Sequence, residues 1–160
     1  MSSIVVSNGT TIEDIIEKDG VYPSVTVGKS MKPLFKTHRD MVVLEKCVKC
    51  PEKYDVVLYR VGEKYVLHRV IGIDREKKIF IIRGDNTFRK EYVPFGAVIA
   101  RLSAFTRRGK HGTVCDKSYK IYSRVWNFIY PARYVVNFFR RAVLKMYRIV
   151  FGKNNTKKTN

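Results

Sequence analysis

Strand-forming segments follow one another along this chain with no helix between them. Runs rich in β-branched and aromatic residues occupy 21–28, 41–46, 54–60, 64–73, 78–83 and 97–105, and turns such as Thr37-His38-Arg39-Asp40, Val61-Gly62-Glu63 and Asp74-Arg75-Glu76-Lys77 separate them. Parallel strands need long crossovers, usually helical, and the spacing leaves no room for them. The expected fold is therefore mainly β, a curved antiparallel sheet or partly closed barrel. A short N-terminal helix precedes it: Thr10-Thr11-Ile12-Glu13 has capping-box spacing, and Ile12, Ile15 and Ile16 recur at helical intervals until Asp19-Gly20.

Charge divides the chain in two. The net charge is +18, yet all fourteen acidic residues lie at or before Asp116, and the stretch from Lys117 onward carries eleven Lys or Arg and no acid. A tail of one sign faces a partner of the other. Ser118 to Phe128 is aromatic and basic, and Pro131 opens a helix running to about Phe151. On that helix Val135, Phe138, Phe139, Ala142, Val143, Met146, Ile149 and Val150 fall mainly on one side, and Arg133, Asn137, Arg140, Arg141, Lys145 and Arg148 on the other. Such a basic amphipathic helix suits an anionic membrane surface. Its alternatives are docking on the domain or on a second copy in an oligomer, and direct binding of nucleic acid, although no base-reading motif accompanies it.

The organisation expected is a helical segment at 1–20, a β-rich domain at 21–106, a basic linker at 107–117, a basic amphipathic helical tail at 118–152 and a disordered end at 153–160. A membrane-spanning helix needs about twenty mostly apolar residues, and none is expected. The polar residues from Met1 to Thr11 lack the pattern of a secretory signal. The expected location is cytoplasmic, with peripheral attachment to a membrane. Cys47, Cys50 and Cys115 are an odd set, a poor disulfide framework that fits a reducing compartment. With His111 they have the residue types of a zinc site, but ordinary thiols are the simpler reading, and neither a metal nor another cofactor is expected.

Gly28-Lys29-Ser30-Met31-Lys32-Pro33 places a serine after Val25-Thr26-Val27 and beside a proline-fixed turn. A serine hydroxyl becomes a nucleophile only with a base in hydrogen-bond reach, itself oriented by a third group. Two later stretches supply candidates. Tyr65-Val66-Leu67-His68-Arg69-Val70-Ile71-Gly72-Ile73 sets a histidine in a strand-like frame, whereas His38 lies in a charged turn and His111 in the basic linker. Arg83-Gly84-Asp85-Asn86 then follows the run Ile79 to Ile82.

Gly-x-Ser-Met-x-Pro, then a strand bearing His-Arg-Val-Ile, then Gly-Asp-Asn, in this order, resembles the signal peptidase family in its endoplasmic-reticulum and archaeal form. The resemblance spans roughly Val25 to Phe105. It implies Ser30 as nucleophile, His68 as general base and Asp85 as the acidic partner. Met31 and Pro33 would shape the nucleophile turn, while Val25, Val27, Gly28, Lys29 and Met31 would serve the oxyanion and the substrate. Asp40 to Leu44 and Tyr54 to Tyr59 match the paired strands that follow.

The chain departs from that family in three ways. The family often has a serine two places before the nucleophile, where this chain has Gly28, so the oxyanion would rest mainly on backbone N–H groups such as that of Ser30. Eukaryotic relatives carry further aspartates after Gly-Asp-Asn, where this chain has Lys90 and Glu91; Asp85 is then the clear acidic candidate and Glu91 an understudy. The usual membrane anchor before the nucleophile has no counterpart ahead of Ser30.

The implied function is a serine endopeptidase that cuts a leader or signal-like peptide in a preprotein through an acyl-enzyme. The substrate would be held as an added strand beside Val25 to Val27. The self-cleaving repressors, which use Ser and Lys, are a rival within proteolysis, but the residues before the sheet leave no room for a helix-turn-helix domain. From a different class, a non-catalytic adaptor would use the basic tail to bind membrane or nucleic acid.

Overall fold

The computed structural model describes residues 11–151, with side chains as far as Tyr147. The expected disordered end at 153–160 and the side chains of Arg148, Ile149 and Val150 lie outside the described residues.

Helix α1 (Ile12–Asp19) is capped by Thr11: its hydroxyl accepts the Asp14 N–H while the Asp14 carboxylate accepts the Thr11 N–H. This capping box sits one residue later than the Thr10–Glu13 pair suggests, and is worth about 1 kcal/mol. Gly20, at φ 74°, takes the left-handed conformation that ends the helix. Ile12 and Ile16 are buried against the sheet domain's core.

Eight strands follow: β1 (Val21–Val25), β2 (Met41–Lys46), β3 (Val56–Val61), β4 (Lys64–Asp74), β5 (Ile79–Arg83), β6 (Glu91–Pro94), β7 (Val98–Arg107) and β8 (Lys110–Thr113). Every pairing is antiparallel, in the order β1-β2-β7-β3-β4-β5-β6 with β8 beside β7. The sheet is mainly antiparallel as expected, and it is open rather than closed into a barrel.

The middle of the sheet separates two cores, which explains why β3 and β4 read as unbroken apolar runs instead of alternating. Val56 and Leu58 of β3, with Tyr65 and Leu67 of β4, pack toward α1, Leu34, Phe35, Val42, Leu44, Leu102 and Tyr119. Val57 and Tyr59, with Val66 and Val70, face the other way, toward Phe80, Ile82 and Val93. Truncating a buried leucine such as Leu58 would cost about 2–5 kcal/mol.

Three expectations are corrected. The strand expected over 21–28 stops at Val25, because Thr26 turns its hydrogen bonds on a loop. Its N–H goes to the Asp40 carbonyl at 3.1 Å, its hydroxyl to the Lys36 and Asp40 carbonyls, and its own carbonyl takes the His38 N–H at 2.9 Å. The stretch 107–117 is not a linker throughout: Arg108 and Gly109, both at positive φ, make a tight turn that returns β8 onto β7. A strand absent from the sequence reading, β6, pairs with β5 and forms one end of the sheet.

The tail forms two helices, α2 (Lys117–Phe128) and α3 (Tyr130–Phe151), where one beginning near Pro131 was expected. The chain divides into two compact units, one ending at Arg124 and the other beginning at Val125. Among the described residues, no helix is long and apolar enough to cross a membrane.

Candidate active site

β1 delivers the chain to the serine from the edge of the sheet, where among the described residues its one strand neighbour is β2. Val25 is exposed, Val27 and Gly28 are half-buried, Lys29 is exposed, and the chain then turns inward at Ser30 and Met31, both buried. Gly28 has φ 99°, a region that L side chains rarely enter. That is a backbone reason for glycine where the resembling family has serine. Met31 belongs to the core shared with α1, and the Phe35 N–H donates to its carbonyl at 3.0 Å, which fixes the turn from behind. The Thr37 hydroxyl donates to the Gly28 carbonyl.

His68 comes from the middle of β4, paired across the strands with Val57, so its imidazole enters the second core. It is 1% exposed. Nδ1 lies 3.0 Å from the Tyr59 hydroxyl and 3.4 Å from the Glu91 carboxylate. The Tyr59 hydroxyl donates its one proton to Glu91, so its oxygen is left to accept from Nδ1–H. This pattern sets the tautomer: Nδ1 carries the proton and Nε2 carries the lone pair. Among the described residues, Nε2 is buried with no hydrogen-bond partner. Burial lowers the proton affinity of the imidazole below the ordinary histidine value, although the Glu91 and Asp85 charges pull the other way. A neutral imidazole with a free Nε2 is the form that a general base requires.

The Gly-Asp-Asn turn packs between the backbone of the Ser30 turn and the His68 ring, although the Ser30 hydroxyl makes no hydrogen bond to Nε2. A Cβ on Gly84 would stand 2.8 Å from the Ser30 carbonyl oxygen and 2.9 Å from His68 Nε2, so the Ser30 turn and the ring meet over this glycine. The Asn86 N–H donates to the Ser30 carbonyl at 2.7 Å and the Asn86 amide to the Lys29 carbonyl at 3.2 Å, which pins the two turns to each other. Ser30 itself is 4% exposed.

Asp85, expected to orient the imidazole, is engaged by Arg69. The guanidinium grips both carboxylate oxygens at 2.8 Å, and the Tyr122 hydroxyl donates to the same group at 3.0 Å. Arg69 is fully buried and spends its remaining nitrogen on the Tyr54 carbonyl, Ser123 and Tyr119. Glu91, the understudy, is the carboxylate at Nδ1.

Tyr59, Glu91 and Arg69 are the residues whose roles sequence reasoning missed or undervalued. In β6 Glu91 is half-buried, Tyr92 exposed and Val93 buried, an alternation too short to mark a strand in the sequence by itself. Register carries Glu91 to His68's face, since Val70 opposes Ile82 and Ile82 opposes Glu91. Arg69 gave no signal, because a charged residue in a strand ordinarily reads as solvent-facing. Cys47, Cys50 and Cys115 are free thiols, and among the described residues no three His, Cys, Asp or Glu side chains gather as a metal site. Burial pushes the Cys47 thiol up to about 11, so it stays protonated at neutral pH.

Compared with known proteins, the chain matches no family model and no curated protein.

Proposed function

We propose that the chain is a serine endopeptidase of the signal-peptidase type, acting on a leader or signal-like peptide. The observation that carries this reading is the buried, unpartnered Nε2 of His68 beside the Ser30 turn, with Nδ1 already held by Tyr59 and Glu91. Ser30 Oγ attacks the scissile carbonyl as its proton passes to Nε2, and the imidazolium is balanced by Glu91. The ring then protonates the leaving amine, and water taken up by the same base releases the acyl group. Asp85 acts at one remove: by holding Arg69 it fixes the turn on which Gly84 and Asn86 meet Ser30. Both reacting residues are almost fully buried, so a peptide reaches them only when the turns at 28–33 and 84–87 part. The exposed edge of β1 is the place for an extended substrate to pair.

The test is cleavage of a diverse peptide mixture, read by mass spectrometry. The parent cuts at a restricted set of sites, and Ser30→Ala and His68→Ala each lower the rate about a thousandfold or more. A parent that cuts nothing, or a Ser30→Ala protein that cuts as well as the parent, overturns the proposal.

A further inference from the structure

The unit that begins at Val125 carries a surface for which the peptidase reading has no use. On α3, Val135, Phe138, Phe139, Val143 and Met146 each expose 50–66% of their area. At about 100° per residue these five share one side of the helix, and Arg133, Arg140, Arg141 and Lys145 share the other. Tyr147, also exposed, stands where the two sides meet, and Tyr134 lies among the cations. No acidic residue occurs anywhere in α2 or α3.

We infer that α3 lies flat in the headgroup region of an anionic bilayer, apolar side down. Two needs have to be met at once: several aromatic and aliphatic side chains must leave water, and a row of cations must find negative charge. Nucleic acid meets the second and leaves the phenylalanines wet. A second copy of the helix meets the first but sets a segment with no acids against its own like. An anionic lipid surface meets both, with apolar burial and electrostatic attraction adding. Tyr147 at the boundary fits this placement, since a tyrosine ring sits well at headgroup depth. The cations along one side, and the absence of a sufficiently apolar helix among the described residues, make the helix lie in the surface rather than cross it.

The chain supplies its own reporter. Its one tryptophan, Trp126, lies in the same unit as α3, with the Arg133 guanidinium 3.7 Å above its ring. The full-length protein is mixed with vesicles of phosphatidylcholine and phosphatidylglycerol in equal parts, and with vesicles of phosphatidylcholine alone. Trp126 fluorescence and co-sedimentation are then recorded.

Binding with a blue shift is expected on the anionic vesicles only. It should weaken on the order of thirtyfold in an Arg140→Gln/Arg141→Gln protein, and comparably in Phe138→Ser/Phe139→Ser. Circular dichroism shows whether each variant keeps its helix, and a variant that loses it is replaced by Val143→Ser/Met146→Ser or by Lys145→Gln. Equal binding to neutral vesicles, or no binding, overturns the inference. So does binding that ignores the phenylalanine changes, as does a dimer broken by those changes in a protein that leaves vesicles alone.

Discussion

Replacing Glu91 by Gln removes the charge beside His68 while keeping the shape of the site, and its effect follows from one distance. Nδ1 and the carboxylate are 3.4 Å apart. Coulomb's law over that gap gives roughly 5 kcal/mol at an effective dielectric of about 20, and about 1 kcal/mol in bulk water. The ring is buried and Glu91 is 24% exposed, so an intermediate value of about 2 kcal/mol is appropriate, roughly a thirtyfold change in proton affinity. The carboxylate favours the imidazolium, so its loss moves the titration of His68 to still lower pH. The chain has three histidines, and proton NMR of their ring resonances follows each one through an acid titration. The expected result is a downward move for His68 in Glu91→Gln. A His68 resonance that titrates as in the parent, or at higher pH, refutes the assignment of Glu91 as the orienting carboxylate.

The same titration bears on stability. The unfolded chain takes up this proton as pH falls through the ordinary histidine value of 6.5, and the folded chain only below it. Stability that is full above that value therefore declines as pH falls through it, until the folded imidazole is itself protonated.

Asp85→Asn should cost about 3–5 kcal/mol in a denaturant titration, because it leaves a fully buried guanidinium without its counter-charge, and Arg69→Met combined with Asp85→Leu should recover much of the loss. An Asp85→Asn protein as stable as the parent but unable to cleave peptides would return Asp85 to the catalytic role. Gly84→Ala forces a Cβ to within 3 Å of both the Ser30 carbonyl and His68 Nε2, so the two turns must separate. The expected outcome is a loss of about 1–3 kcal/mol and a fall in kcat, and a variant with unchanged turnover would show that this contact does not govern the site.

Local chemistry made part of this molecule legible. The isoleucines of α1, the long β3–β4 hairpin and the serine-bearing turn each follow from residues close together in the chain. β6 escaped notice because four residues ending in proline carry little strand signal alone, and pairing with β5 is what orders them. The same gap hid the role of Glu91, which reaches His68 only through a register that runs across three strands. Arg69 was illegible for a different reason. Its burial depends on hydrogen-bond partners from Tyr54, Asp85, Tyr119 and Ser123, up to 54 positions away, and no pattern within β4 announces them. Charge placed the start of the tail near Lys117, whereas contacts place the division after Arg124.

That displacement has a practical meaning for anyone dividing the protein. The opening turns of α2 are interior material, since Tyr119, Tyr122 and Ser123 complete the sphere of polar atoms around Arg69 and Asp85. Scissors applied where the acidic residues run out would strip the lining from a buried ion pair and leave a wet hole beside it. A cut after Arg124, inside α2, would keep these three side chains with the ion pair they surround.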